Sequence, residues 1–379
     1  MRAPPGALFL FSLPSKPAFI PDFPTSGQEN PISWNRPPQS GKNLLFPQAN
    51  DTSKWHRTCR IHGRICIPER YSVKTKDFLT IRDADKEKLC GILDLATEIK
   101  AYPERYTSTL KGKALALIFE KPSLRTRLSF DVGIHQLGGF SVSLSQSEIN
   151  LGKRESVHDV AKNLERMVQG VMVRTFAHSV VEQLAAAMSI PVINGLTDYS
   201  HPCQALADYF TIREFKKQLP GLRLCYVGDG NNVARSLMFA GARLGVHVTI
   251  ACPPGYELDE ATVRLAREDA KSTGANVMIK HDPDDAVTGA DVVYTDVWAS
   301  MGQESEQKDR AQIFRPYQVN QQLMQKAGSG AMFMHCLPAH RGDEVTDEVI
   351  DSAASVVFQQ AENRLHVQKA LLVEFMRQR

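Results

Sequence analysis

From Lys74 onward, apolar positions alternate between two spacings. Leu89, Ile92, Leu93, Ala96 and Ile99 recur at helical intervals on one face, behind Asp85, which is suited to capping the helix start. Short runs with few polar interruptions, at 114–119, 170–173, 191–193, 222–227, 246–251, 291–294 and 331–334, predict buried strands. Between several of them the spacing returns to the helical period, as in Val233, Leu237, Ala240 and Leu244. Strands joined by crossover helices pair in parallel. The expected fold class is therefore α/β, with two Rossmann-like domains of parallel sheet and a boundary near 215–221. Residues 73–217, completed by a C-terminal helix at 361–379, make the first domain, and 218–360 the second. Ligands of such sheets collect at strand carboxyl ends, which places the site in the cleft between the domains.

Residues 1–72 break this pattern. They hold 11 of the 21 prolines and neither apolar period persists, which predicts a disordered head. As a signal peptide, the apolar stretch from Ala7 to Leu13 is short and follows Pro4-Pro5. As a transit peptide the head is suitably poor in acid, but its prolines oppose an amphipathic presequence helix. A third reading is a misassigned start, with the translated chain beginning at Val73. The head carries nine Lys or Arg against four Asp or Glu, leaving 36 basic and 38 acidic residues in the rest. That balance excludes the broad basic face of a nucleic-acid binder. No uninterrupted apolar stretch approaches the roughly 20 residues of a spanning helix. The seven cysteines are scattered without a CxxC pair, as in a reduced chain.

Candidate chemistry begins after the 114–119 strand, at Glu120-Lys121-Pro122-Ser123-Leu124-Arg125-Thr126-Arg127, followed by helical spacing at Phe130, Ile134 and Leu137. Ser123 is then an N-cap. Free N–H groups, the positive end of the helix dipole, the hydroxyls of Ser123 and Thr126 and the Arg125 guanidinium converge on one anion site. A capped helix whose arginines meet surface carboxylates is the plain alternative, and it suits Arg127 better than Arg125. The segment resembles the phosphate-binding stretch of aspartate and ornithine carbamoyltransferases, whose pattern in the ornithine branch is Ser-Thr-Arg-Thr-Arg. Leu124 departs from it; a residue that contributes its main-chain N–H tolerates that change.

The resemblance extends to about Met376 with motifs in family order. Arg174 ends a strand, and His201-Pro202-Cys203-Gln204 precedes Ala205-Leu206-Ala207-Asp208. Donors such as Arg174 and His201 suit the negative charge that builds on a carbonyl under attack, and the resemblance implies that both, with Gln204, contact carbamoyl phosphate. A zinc reading of His201 and Cys203 lacks further ligands at suitable spacing. Gly228-Asp229-Gly230-Asn231-Asn232 misses the third glycine of a dinucleotide loop, since position 233 is valine, and lacks an acidic ribose partner. Asn232 instead suits an amino-acid carboxylate. Asp296 beside Ser300 suits an α-ammonium group, with Met301 and Gly302 allowing close approach; a turn with a capping Asp is the bland reading. The stretch resembles the Ser-Met-Gly loop of the ornithine branch, and His335-Cys336-Leu337-Pro338 is likewise its signature. By resemblance Cys336 lies near the attacking amine, the Cys336 and Leu337 carbonyls take the carbamoyl NH₂, and Arg364 closes over carbamoyl phosphate.

The resemblance thus implies an ornithine carbamoyltransferase of arginine biosynthesis, with a carbamoyl phosphate domain followed by an ornithine domain and no metal or redox cofactor. It also implies a homotrimer with shared sites, in which Asn150 stands where a neighbour usually supplies His or Gln. Family chains have about the length left after residue 72, which favours excluding the head. The location expected is cytoplasmic, or plastid or mitochondrial should the head be a leader. Another amine acceptor, putrescine or acetylornithine, is the nearest alternative; a nicotinamide oxidoreductase is the rival from a different class.

Overall fold

Two parallel sheets organise the chain, and a computed structural model describes residues 76–149, 151, 154–299 and 306–377. The expectations for residues 1–72 and the roles given to Asn150, Ser300 and Met301 fall outside the described residues. All described residues lie within the compact unit spanning 70–379. The first lobe runs α1 (Lys86–Ala101), β1 (Ala114–Phe119), α2 (Leu124–Gln136), β2 (Phe140–Ser145), α3 (Gln146–Ile149), α4 (Val157–Leu164), β3 (Gly170–Arg174), α5 (His178–Ala187), β4 (Val192–Leu196) and α6 (Pro202–Lys216). The second runs β5 (Arg223–Val227), α7 (Asn232–Leu244), β6 (His247–Ala251), α8 (Glu260–Ala270), β7 (Val277–Lys280), α9 (Pro283–Val287), β8 (Val292–Thr295), α10 (Gln307–Phe314), α11 (Gln321–Lys326), β9 (Met332–His335), α12 (Asp347–Ile350) and α13 (Val357–Met376). The α/β class and the parallel sheets stand as expected. Two strands, β2 and β7, were not legible in the apolar pattern.

The first sheet has the order β2-β1-β3-β4 and the second β7-β6-β5-β8-β9. In the first, Phe119 pairs with Arg174 and Arg174 with Leu196; in the second, Val227 pairs with Thr295 and Thr295 with His335. Strands in such register end level, so the loops that follow them share one rim on each sheet. The motifs at Ser123, Arg174, His201, Asn232, Asp296 and Cys336 follow these strand ends. β1 is buried at all six positions because helices cover both faces of its sheet, the arrangement that a continuous apolar run encodes. No helix among the described residues is long and apolar enough to cross a membrane.

α6 carries the join between the lobes. It is buried from Pro202 to Ile212, so it shows little one-sidedness, and it packs against α7 of the second lobe and α1 and α13. The terminal helix α13 begins at Val357, earlier than the expected 361, and lies on α1, α2 and α6. Gly241 permits the α6–α7 approach: a Cβ there would stand 2.3 Å from Val248 Cγ2 and 2.5 Å from the Tyr209 hydroxyl, which donates to the Leu237 carbonyl at 2.8 Å. Gly241→Ala is expected to destabilise the fold by about 1–3 kcal/mol through overpacking. Equilibrium denaturation checks it, and an unchanged midpoint contradicts the packing described.

Candidate active site

Ser123 begins α2 in extended conformation, and its Oγ accepts from the Thr126 N–H at 3.2 Å. The helix therefore starts at the carboxyl end of β1, with its amides toward the cleft. Leu124 is 70% exposed, so what it offers an anion is its main chain. Two buried arginines converge on the Thr126 hydroxyl: Arg364 Nη2 from α13 at 2.7 Å and Arg174 Nη1 from the end of β3 at 3.5 Å. Arg125 lines the same cleft. Arg127 does not; its guanidinium lies 4.7 Å from the Phe119 ring centroid. Among the described residues, Arg174 and Arg364 have no carboxylate at ion-pair distance. Burial, reinforced by Arg364 and Arg125, pushes Arg174 down to about 9, and burial also lowers Arg364. Three cations held this close, none with a carboxylate at ion-pair distance among the described residues, make a site for a multiply charged anion.

His201, at the start of α6, is buried, and its backbone N–H donates to Ser236 Oγ at 2.9 Å. Burial, with Arg364 and Arg174 nearby, holds its imidazole well below the usual 6.5, so it serves as a neutral hydrogen-bonding group. The folded state refuses a proton that the unfolded chain accepts below pH 6.5, so stability is greatest above that pH and falls as the medium is acidified. His201→Gln should remove this contribution, about 1.4 kcal/mol per pH unit below 6.5. Denaturation of variant and wild type at two pH values measures the difference; parallel losses contradict it.

The second lobe supplies the opposing wall. Asp296 follows β8, and its carboxylate is held by three donors: Asn231 Nδ2 at 2.9 Å to Oδ2, and the Val297 N–H at 2.9 Å and Cys336 Sγ at 3.0 Å to Oδ1. Burial first, then Asp296, raises the Cys336 thiol well above its usual range, so it sits there as a protonated donor. The imidazole of His335 is committed on both nitrogens: Nδ1 accepts from the Leu337 N–H at 2.8 Å, and Nε2 faces Glu344 Oε1 at 3.2 Å. Asp296, His335 and Cys336 bring possible metal-ligand atoms within 4.8 Å, the one such group among the described residues, but these hydrogen bonds already use the ring. Asn232 donates to the Thr197 carbonyl of the first lobe at 2.6 Å, tying the two rims together. Gly230 packs against the backbone of Tyr256, Glu257 and Leu258, which a Cβ would meet at 2.6–2.7 Å. Close chain packing thus accounts for a glycine that superficially suits a nucleotide.

These groups line one cleft of about 1090 Å³, together with Gln204, Leu337, Lys121 and Arg310. Several were not singled out in the sequence. Asn231 caps α7, accepting from Val233 and Ala234, and orients Asp296 as well; an Asn before a helical run signals the first task only. Arg310 of α10 pairs with Asp229 at 3.0 Å and donates to the Trp298 carbonyl, bracing the wall behind Asp296. Lys121 is buried against Asp198 and the Phe176 ring. Four buried atoms in the cleft, Arg174 Nε, His201 Nδ1, Gln204 Oε1 and Arg364 Nε, have no partner among the described residues.

Family comparison agrees with this geometry. Residues 76–214 match the model of the aspartate/ornithine carbamoyltransferase carbamoyl-P binding domain, and 220–375 that of the Asp/Orn binding domain. The chain belongs to the aspartate/ornithine carbamoyltransferase family. Among its relatives, an ornithine carbamoyltransferase of Anoxybacillus flavithermus is 54% identical over 307 residues, covering 80% of this chain and 98% of that protein. An ornithine carbamoyltransferase of Pyrococcus furiosus, designated anabolic, is 51% identical over 307 residues with the same coverage. A solved ornithine carbamoyltransferase structure from that organism superposes with a TM-score of 0.78 at 51% identity, over 80% of this chain and 98% of that one. A mitochondrial ornithine carbamoyltransferase from Coccidioides immitis, also solved, gives 0.74 at 35% identity, over 80% and 98%.

Proposed function

We propose that this chain is an ornithine carbamoyltransferase, transferring the carbamoyl group of carbamoyl phosphate to the side-chain amine of L-ornithine and releasing citrulline and phosphate, in the direction of arginine biosynthesis. One observation carries the reading. A cleft with three guanidinium groups and a helix start on one wall faces a braced carboxylate, Asp296, on the other. The first wall suits an acyl phosphate dianion and the second an α-ammonium group. The relatives named above support ornithine over aspartate, which would require cations where Asp296 stands.

In this reading the first lobe with α13 holds carbamoyl phosphate: the α2 start and Arg125 receive the phosphate, and Arg364 closes over it. Arg174 and His201 direct N–H groups at the carbonyl oxygen. The neutral δ-amine attacks the carbamoyl carbon, the new C–N bond forms, negative charge gathers on that oxygen, and the C–O bond to phosphate breaks, the departing phosphate taking the proton that the new C–N nitrogen sheds. Asp296, with Asn231 and Cys336 holding it, orients the amino acid so that its chain reaches the carbon. The roles of Ser300 and Met301, which fall outside the described residues, stay part of this proposal.

The homotrimer belongs to the proposal too. It is supported by an exposed apolar stripe on α2, Leu124, Leu128 and Val132, beside Phe140 and Val142 of the edge strand β2. Apolar surface grouped at a sheet edge is suited to a partner, and Asn150 follows directly in sequence after α3. Sedimentation equilibrium reads the assembly. A cytoplasmic location rests on five free thiols among the described residues, and fractionation tests it. The function itself is tested by citrulline formation. With carbamoyl phosphate as donor, ornithine should exceed putrescine and acetylornithine by at least about 100-fold in kcat/KM; a faster rate with either rival overturns the assignment of acceptor.

A further inference from the structure

A chain of hydrogen bonds runs from a backbone amide beneath the second lobe to a side-chain oxygen in the cleft, and its direction is set at every step. The His335 N–H, at the end of β9, donates to Gln360 Oε1 at 3.0 Å. A backbone N–H only donates, so Gln360 must turn its amide nitrogen the other way. That nitrogen donates to Asp208 Oδ1 at 2.7 Å and to the Tyr294 hydroxyl at 3.1 Å. Tyr294, accepting there, donates to Asp208 Oδ2 at 3.1 Å. Asp208 thus accepts at both oxygens and takes a third donor, Gln204 Nε2, at 2.8 Å.

The consequence falls on Gln204. With its nitrogen committed to Asp208, its Oε1 is the end left over, buried and without a partner among the described residues, in a side chain that lines the cleft. The neighbouring Arg174 and Arg364 offer only donors, so a side-chain acceptor here adds to the demand that the Cys336 and Leu337 carbonyls make on the ligand. Burial pushes the Asp208 carboxyl up to about 7 while its three donors oppose the shift, and above that pH it is acceptor-only.

We propose that Asp208 is a specificity-determining positioning residue: by holding the Gln204 carbonyl oxygen toward the cleft, it makes the site select an acyl phosphate bearing an N–H donor on its acyl carbon over the methyl isostere. This rests on the carbamoyl phosphate reading given above. Carbamoyl and acetyl phosphate differ at that point alone, NH₂ against CH₃. A methyl group leaves the buried acceptor unsatisfied, which is worth on the order of 10- to 100-fold in affinity.

The test is calorimetric titration of the full chain with carbamoyl phosphate and with acetyl phosphate, at about pH 8 and without ornithine, so that no turnover intervenes. Wild type should bind carbamoyl phosphate at least about tenfold more tightly. Asp208→Ala frees Gln204 to turn either end inward, and the ratio should fall at least about threefold, the Cys336 and Leu337 carbonyls keeping the remainder. Asp208→Asn keeps a carbonyl oxygen where Gln360 requires an acceptor, so it should preserve the ratio. A purely structural Asp208 would weaken both ligands together and leave the ratio unmoved. Should Asp208→Ala fail to fold, Gln204→Leu removes the acceptor directly, and its ratio should collapse while that of Asp208→Asn persists. An unchanged ratio in folded Asp208→Ala or Gln204→Leu, or a collapse in Asp208→Asn, overturns the proposal. Failure of the functional reading shows separately, as wild-type protein that forms no citrulline.

Discussion

Arg174→Met should lower carbamoyl phosphate turnover by about 10²–10³-fold and, in the same protein, raise the thermal stability of the ligand-free state. The two effects have one cause. Arg174 and Arg364 converge on Thr126 without a carboxylate partner among the described residues, close enough to Arg125 that all three cations repel. Before an anion arrives this is an unfavourable arrangement, and replacing an uncompensated buried charge by an apolar side chain of similar length stabilises by roughly 1–4 kcal/mol. In the reaction the same guanidinium directs N–H groups at developing charge, and losing such a donor costs about 10²–10³ in rate. Phosphate should raise the melting temperature of wild type and have much less effect on the variant, because a ligand stabilises only the state that binds it.

The pH dependence follows with a definite sign. Arg174 is held down to about 9 in the folded protein, whereas the unfolded chain keeps the proton to far higher pH. Above about 9 the unfolded state binds more protons than the folded one, so this group's contribution to stability rises with pH. The stability gap between Arg174→Met and wild type should therefore be widest near neutrality and close as pH climbs through that value. Calorimetric scans across the range measure it. A variant less stable than wild type at neutral pH, or a gap that widens in alkali, contradicts the electrostatic account.

The second large effect belongs to the opposite wall. Asp296→Asn should lower kcat/KM for ornithine by about 10³ while changing carbamoyl phosphate affinity by less than about threefold. Asp296 receives Asn231, the Val297 amide and the Cys336 thiol, an environment built for an acceptor-only group. An amide of the same shape brings its own N–H groups against those donors and removes the charge that an α-ammonium requires. The phosphate wall is built from other elements, α2, β3 and α13, and is left intact. Initial rates with each substrate varied in turn separate the two constants; equal losses in both would mean that Asp296 organises the cleft as a whole.

How far the fold was readable depended on the span of each interaction. Ser123 and Asp85 were legible as caps because the donors they receive lie three residues away. β1 was legible because six buried apolar residues leave no other economical arrangement. β2 was not: Phe140–Ser145 alternates with serines at a sheet edge and has no buried residue, so its pattern carries little burial signal. Strand bounds slipped by one at Asp291, whose carboxylate accepts from the Arg223 N–H and so leads into β8 without belonging to it. The cleft's supporting residues were hidden for a related reason. Asp208 meets Tyr294 and Gln360 across 86 and 152 positions, and no local spacing encodes such a meeting.

The most direct measurement is calorimetric titration with a phosphonoacetyl derivative of ornithine's side-chain amine, which joins the anion and the amino acid in one molecule. If both walls belong to one site, it should bind once per chain and at least about 10²-fold more tightly than phosphate or ornithine alone, since one association replaces two. Arg174→Met and Asp296→Asn should each lose that advantage. Affinity no greater than that of phosphate, or two independent sites per chain, would contradict a single cleft holding both substrates.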